Sequence, residues 1–314
     1  MLLIVLIIIL NAITARDCTT RESLVKSLPG LSADVPCMYS GFIEIDENSK
    51  SNIFYWLIEA KKNSAELPLI IWLNGGPGSS SMIGLFTEMG PLRFNKTANG
   101  VTLNEEKSWT SVANVLYVDQ PVGTGYSFTN DSSKLATNQQ SVSNHFYKFI
   151  QKFLSEYTNY QKRAIYIVGE SYAGKYIPNI AKKILDENRL IEKDERSHIK
   201  IDLRKIAIGN GLFDAKYQRA ARKDLAKGIN ILSEYNEETQ YDMLVKNCEF
   251  SVANNRTDSI KQCDEVIDYV IELAGDVYEF DVRKDRLNDK SLSLAMEKFL
   301  NLDEVVTALH VKQD

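Results

Sequence analysis

A serine stands two residues after a glycine that closes a short apolar run, in Ile165-Tyr166-Ile167-Val168-Gly169-Glu170-Ser171-Tyr172-Ala173-Gly174. The pattern is strand, sharp turn, helix, with a hydroxyl at the apex. Such a turn tolerates little side-chain bulk two residues either side of the serine, because backbone segments approach closely there. Gly169 meets that need on one side. On the other, Ala173 stands where the usual Gly-x-Ser-x-Gly pattern has glycine, with Gly174 beside it. Ser171 is then exposed above a sheet edge, near the positive end of a helix dipole, as a nucleophile requires.

Acyl transfer by a serine also needs donors for the developing oxyanion, and a base held by an acid. The apolar run Leu69-Ile70-Ile71-Trp72-Leu73 reads as a strand buried on both faces. It passes directly into Asn74-Gly75-Gly76-Pro77-Gly78-Ser79-Ser80-Ser81. A backbone N–H from residues 74–78, with the N–H of Tyr172, would supply the two donors. The loop lacks the Gly-Lys-Ser/Thr ending of a phosphate cradle and the spacing of a dinucleotide fingerprint. No Cys-x-x-Cys pair or histidine cluster suggests a metal site, and no cofactor is expected.

The elements that position these residues follow from periodicity. Gly41 to Ile45 and Asn52 to Glu59 read as a hairpin about Asn48-Ser49-Lys50. Val115 to Asp119 is another buried strand, followed by a glycine-rich loop. Ser141 to Tyr157 carries apolar residues on one helical face, from Val142 and Phe146 to Phe153 and Leu154. Lys205 to Gly211 is a further strand and turn. Strands alternating with helices predict a mostly parallel sheet covered on both faces. Beyond Leu212 the runs are charged and helical with few strand signals. The expected division is a core over 16–211, a helical insertion over 212–300, and the start of a return to the core over 301–314.

Three motifs carry a family resemblance: residues 74–81, Asp119-Gln120-Pro121-Val122-Gly123-Thr124-Gly125-Tyr126-Ser127, and Gly169 through Pro178. They resemble the serine carboxypeptidases, in the same order and at similar spacing. Residues Ile206 to Gly211 and Phe299 to Val305 extend the likeness. Among animal members the chain looks most like the vitellogenic-like carboxypeptidases. The resemblance implies an α/β-hydrolase fold and removal of the C-terminal residue from peptides. It implies Ser171 as nucleophile and Gly76 and Tyr172 as oxyanion donors. Asn74, Gly75, Glu88 and Glu170 are implied to hold the substrate's terminal carboxylate. Two adjacent carboxyls cannot both ionise cheaply, so one keeps a proton to donate, and binding is expected to be best at acid pH. Trp72, Tyr126 and Tyr172 are candidates for lining the adjacent pocket.

Two departures stand out. Ser79 replaces a cysteine that many members bond to the insertion. The order Ser, Asp, His expected after the nucleophile is not met either. His198 lies in a charged loop, His310 lies in Thr307-Ala308-Leu309-His310-Val311, and His145 precedes the serine. None sits in the glycine-flanked loop where the family carries its base. The sequence stops four residues after His310. Ser171 of the 1–314 chain is therefore expected not to be activated. An acyltransferase using the same serine and an inert secreted binding protein are the alternatives. Asn74 and Glu170 disfavour a lipase-like esterase.

The 314 residues have a net charge of -5, and no basic patch interleaved with aromatics marks a nucleic-acid binder. Met1 to Leu10 is apolar and uncharged, too short to span a bilayer, and Ala15 offers a cleavage point. Residues 1–15 thus read as a signal peptide, and the protein is expected in the secretory pathway, secreted or delivered to a lysosome or vacuole. The four cysteines suggest disulfides. Cys18 with Cys37 and Cys248 with Cys263 are the sequence-local pairing among three connectivities. Sequons at Asn95, Asn130 and Asn255 are candidate glycan sites.

Overall fold

The computed structural model describes residues 18–31, 35–95, 97–232, 235–254, 256–278, 280–285 and 289–312. The expected signal peptide and Asn255 lie outside the described residues. The chain opens with a hairpin, β1 (Met38–Asp46) and β2 (Ser51–Ile58), with Phe42 opposite Phe54. Strand β3 (Leu69–Leu73) leads through the glycine loop into a short helix α1 (Met82–Thr87). A small hairpin, β4 (Leu92–Phe94) and β5 (Val101–Leu103), precedes β6 (Asn114–Val118). Helix α2 (Gln139–Glu156), β7 (Ile165–Glu170), α3 (Ala173–Glu192) and β8 (Leu203–Gly209) complete the alternating part.

The six-stranded sheet has the order β1-β2-β6-β3-β7-β8. Its first three strands pair antiparallel and the pairs β6–β3, β3–β7 and β7–β8 are parallel. Alternate residues of each strand feed opposite faces. Leu57, Ile71 and Leu116 pack with Phe146 and Phe153 of α2 and Ile177 of α3 on one side. Trp56, Trp72 and Tyr117 pack with Leu85 and Phe86 of α1 on the other. Helix α2 starts at a capping box, in which Asn138 Oδ1 accepts from Ser141 N at 2.9 Å.

Strand β8 lies at the edge of the described sheet, with Arg204, Lys205, Ile206 and Ala207 exposed.

After β8 come α4 (Ala215–Gly228), α5 (Tyr235–Ala253) and α6 (Ser259–Leu273). They surround their own small core, which includes Ala226, Leu232, Tyr241 and Val266. The disulfide Cys248–Cys263 joins α5 to α6, and Cys18–Cys37 ties the N-terminal segment to the edge of β1. The region is not wholly helical. A two-stranded ribbon, β9 (Val277–Tyr278) and β10 (Asp281–Asp285), follows α6. Helices α7 (Asp289–Leu300) and α8 (Asp303–Ala308) then lead back. Phe299, Leu300, Val305 and Leu309 bury themselves in the core beneath α1, where Phe299 meets the Phe86 ring edge-on at 5.7 Å.

Parallel pairing sets Leu73 opposite Gly169, so β3 and β7 end level with each other. A Cβ on residue 169 would lie 2.2 Å from the Leu73 carbonyl oxygen and 2.9 Å from Ala173 Cβ. Gly169→Ala is therefore expected to lower unfolding free energy by roughly 1–3 kcal/mol or more in chemical denaturation. Gly209→Ala, where a Cβ meets nothing within 4 Å, is expected to leave it unchanged or slightly raised.

Candidate active site

Ser171 occupies the turn between β7 and α3 with φ of 57°, a left-handed conformation uncommon for a side-chain-bearing residue. Such a conformation costs about 1–3 kcal/mol and persists only when the surroundings over-determine it. They do so here. Ser171 N donates to Gly209 O at 3.0 Å, and Ser171 O accepts from Gly174 N at 3.0 Å and Leu212 N at 2.8 Å. The residue itself is exposed. Gly174 is confined by the Leu212 backbone, 2.7 Å from where a Cβ would stand, so glycine is needed here, one position later than in the usual pattern.

The glycine loop closes over this turn. A Cβ on Gly75 would lie 2.4 Å from Tyr172 N and 2.9 Å from Ser171 Cβ. Gly76 has φ of 101° and a Cβ there would strike Ser79 N at 2.6 Å. Among the described residues, neither the Gly76 nor the Tyr172 N–H donates to a protein acceptor. Two unpartnered donors thus flank an exposed hydroxyl. Gly78 N donates to Tyr176 Oη at 3.3 Å, pinning the far side of the loop to α3.

A carboxyl cluster lies beside them. Asn74 is buried, and its Oδ1 accepts from Trp72 Nε1 at 2.7 Å and Gly84 N at 3.1 Å. Its amide nitrogen is thereby turned to Glu170 Oε1, 2.9 Å away. Glu88 caps the C-terminal end of α1, where Arg93 Nη2 donates to its backbone carbonyl. Its carboxyl lines the same cavity as Glu170 and Asn74. Burial, then the nearby Glu170 carboxyl, push the Glu88 carboxyl up to about 8, against the pull of Asn74 and Arg93.

Both groups open on one cavity of about 570 Å³, within the range of small-molecule sites. Asn74, Gly75, Gly76, Glu88, Glu170 and Ser171 all line it. Of the residues that sequence reasoning singled out, the cavity leaves Tyr172, Trp72 and Tyr126 outside its lining. Trp72 packs edge-on against Trp109 at 5.6 Å and orients Asn74, so it serves the site from beneath. Tyr126 donates through its hydroxyl to Leu300 O.

None of the three histidines lines this cavity. His198 is beyond the far end of α3, 3.2 Å from Tyr147 Oη through Nδ1. Burial lowers the pKa of His145 on α2 and of His310 after α8. Asn95 is half-buried, with Oδ1 accepting from Thr97 N at 3.2 Å, and Asn130 is exposed.

Several contributors were not singled out from the sequence. Asp119 is fully buried and accepts from Ser80 Oγ at 2.7 Å, Ser81 N at 2.9 Å and Tyr126 N at 3.1 Å. It clamps the glycine loop to the loop after β6; burial raises it to about 6 despite those three bonds. Tyr278, Phe280 and Met296 line the cavity from beyond residue 212. The alternation Val277-Tyr278-Glu279-Phe280-Asp281-Val282 is the strand signal that marks this ribbon.

The mixed sheet with helices on both sides, the left-handed serine turn and the loop laid over it define an α/β-hydrolase. The family model for serine carboxypeptidase matches residues 29–314. The chain belongs to that family. It is 36% identical over 93% of its length to a serine carboxypeptidase family member of Dictyostelium discoideum. It is 33% identical over 92% of its length to "Probable serine carboxypeptidase CPVL" of Homo sapiens. The chain covers 54% and 60% of those two proteins. A prohormone-processing carboxypeptidase from Saccharomyces cerevisiae superposes with a TM-score of 0.74 at 28% identity, covering 88% of this chain and 64% of that one.

Removing the Glu170 charge isolates its share of the Glu88 shift. Glu170→Gln is expected to lower the Glu88 pKa while leaving it above that of an exposed glutamate, because burial is the larger cause. Carboxyl carbon NMR titration of the variant checks this.

Proposed function

We propose that this site receives the C-terminal end of a peptide and that Ser171 is the nucleophile of a serine-type carboxypeptidase. The observation that carries the reading is the Glu88–Glu170–Asn74 cluster, lining the same cavity as Ser171 and Gly76. A protonated Glu88 shares its proton with the Glu170 pair and donates to an incoming carboxylate. Asn74 and the Gly75 N–H hold the same group. The terminal peptide bond then lies over Ser171, with its carbonyl oxygen towards Gly76 and Tyr172. Attack by Ser171 Oγ on the carbonyl carbon gives a tetrahedral oxyanion as a base takes the hydroxyl proton; that proton passes to the amide nitrogen, the C–N bond breaks, and the terminal amino acid leaves an acyl-enzyme that water hydrolyses. The helical segment from 212 acts in this reading as a cap over the 16–211 core.

We place the protein in the secretory pathway, secreted or in a lysosome or vacuole. The two disulfides support an oxidising compartment, and the exposed Asn130 suits a glycan. No helix among the described residues is long and apolar enough to cross a membrane.

The sign of the pH dependence follows from Glu88. Its proton is present below about 8 and lost above it. Binding of an N-acetylated dipeptide acid is expected to be tight at acid pH and to weaken as pH rises through 8, while the matching C-terminal amide binds poorly throughout. Calorimetric titration at several pH values tests this; equal affinity for acid and amide would overturn the carboxylate assignment.

A second reading, that the 1–314 polypeptide binds without turnover, draws on the cavity's lining, in which no imidazole is present among the described residues. In this reading Ser171 is positioned while the described lining supplies no imidazole, and its hydroxyl reacts slowly. A serine-reactive phosphonate is expected to leave at most trace label on the 1–314 polypeptide, read by peptide mass spectrometry. Stoichiometric labelling at Ser171 would show the nucleophile to be activated.

A further inference from the structure

Helix α1 ends abruptly, and one side chain collects what its end leaves open. The last carbonyls of a helix have no partner within it. Gly90 N turns back to Gly84 O at 3.1 Å, and a Cβ on Gly90 would lie 2.0 Å from Leu85 O. Glu88 has left the helix, with φ of -123° and ψ of -102°, so the helix alone does not fix the direction of its side chain. Arg93, half-buried on β4, reaches into this turn. Its Nη1 donates to Leu92 O at 2.7 Å, Gly90 O at 2.8 Å and Leu85 O at 3.4 Å, and its Nη2 donates to Glu88 O. A cation suits the negative end of a helix dipole. All four acceptors are neutral carbonyls, so these bonds leave the positive charge in place, and it acts on the Glu88 carboxyl.

We infer that Arg93 is the positioning residue of the carboxylate site: it holds the backbone from which Glu88 reaches the cavity, and its fixed charge acts on the Glu88 carboxyl. The inference rests on the carboxylate-binding reading above. The groups acting on Glu88 come from several elements. Glu170 on β7 favours the protonated carboxyl, whereas Asn74 after β3 and Arg93 on β4 favour the ionised one. Tyr117 on β6 is fully buried, and burial keeps its phenol protonated well above the usual range. The Arg93 guanidinium stays charged at any working pH. Removing that charge therefore raises Glu88 further, and the carboxyl keeps its proton to higher pH. Removing the hydrogen bonds frees the Glu88 carbonyl and the turn that carries it.

Two variants separate these effects. Arg93→Gln removes both the charge and the fork of donors. It is expected to bind an N-acetylated dipeptide acid about ten-fold or more weakly at acid pH in titration calorimetry. Its Glu88 carboxyl, followed by carbon NMR without ligand, is expected to titrate at higher pH than in the unsubstituted protein. Arg93→Lys keeps the charge but cannot reproduce the planar fork. It is expected to leave the Glu88 titration near its original position and to weaken acid binding about three-fold or more. Circular dichroism follows the fold of both; the lysine variant carries the binding test by itself where the glutamine variant does not fold. Undiminished acid binding in either variant, or a Glu88 titration that Arg93→Gln leaves unmoved or lowers, would overturn the role of Arg93 and leave the carboxylate site standing. Equal affinity of the unsubstituted protein for acid and amide would overturn both.

Discussion

The site depends on two places where backbone passes backbone with no room for a side chain. At residue 169 the obstacle is the Leu73 carbonyl; at residue 75 it is the Tyr172 amide. Both contacts join the end of β3 to the turn after β7. The parallel pairing of Leu73 with Gly169 makes them inevitable, because the two strands finish level. From that closeness the rest follows. Asn74, one residue past β3, reaches Glu170, the last residue of β7, at 2.9 Å. The Gly76 and Tyr172 amides come together without partners. A methyl group at either glycine would part the strands by more than a hydrogen bond tolerates.

A second constraint holds the loop from its other side. Asp119 is a buried carboxylate at the end of β6, and a buried charge is stable only where hydrogen bonds compensate it. Ser80, Ser81 and Tyr126 provide them, and a Cβ on Gly125 would lie 2.0 Å from Oδ2. The same Tyr126 donates to Leu300 O at the end of α7. One buried acid thus fixes the glycine loop and the loop after β6, and through Tyr126 reaches the point where the chain returns from the helical region. Burial raises both Asp119 and Glu88, with different consequences. Asp119 accepts from three protein donors and belongs to the frame. Glu88 lines a cavity together with a second carboxyl, Glu170.

Much of this was legible because each feature has a local cause. The serine turn shows in Gly169 and Ser171, the loop laid over it in the glycines after Leu73, and the α2 face in the spacing of Phe146 and Phe153. The disulfide partners follow from proximity in sequence. Other features have no local cause. Glu88 belongs to no local motif, and only folding sets Glu170 beside it. Trp72 reads as a pocket aromatic, yet its indole N–H turns inward to orient Asn74. The β9–β10 ribbon is too short for alternation to dominate, and Tyr278 and Phe280 meet Ile83 only through the fold. The exposure of β8 depends on which strands flank it, a property of the sheet and not of Ile206 or Ala207.

Holding a hydroxyl in place and activating it are separate tasks, and the described residues account for the first. The left-handed conformation of Ser171 is held by Gly209, Gly174 and Leu212, all through backbone groups. None of those bonds involves an imidazole, so the turn keeps its shape whatever base approaches. The carboxyl cluster is likewise self-sufficient: Asn74 is oriented from beneath by Trp72 and Gly84, and Glu88 by Arg93 through its backbone. The cluster is therefore assembled from β3, α1 and β7. The reactivity of the hydroxyl is the one property this arrangement leaves to a group outside the cavity's described lining.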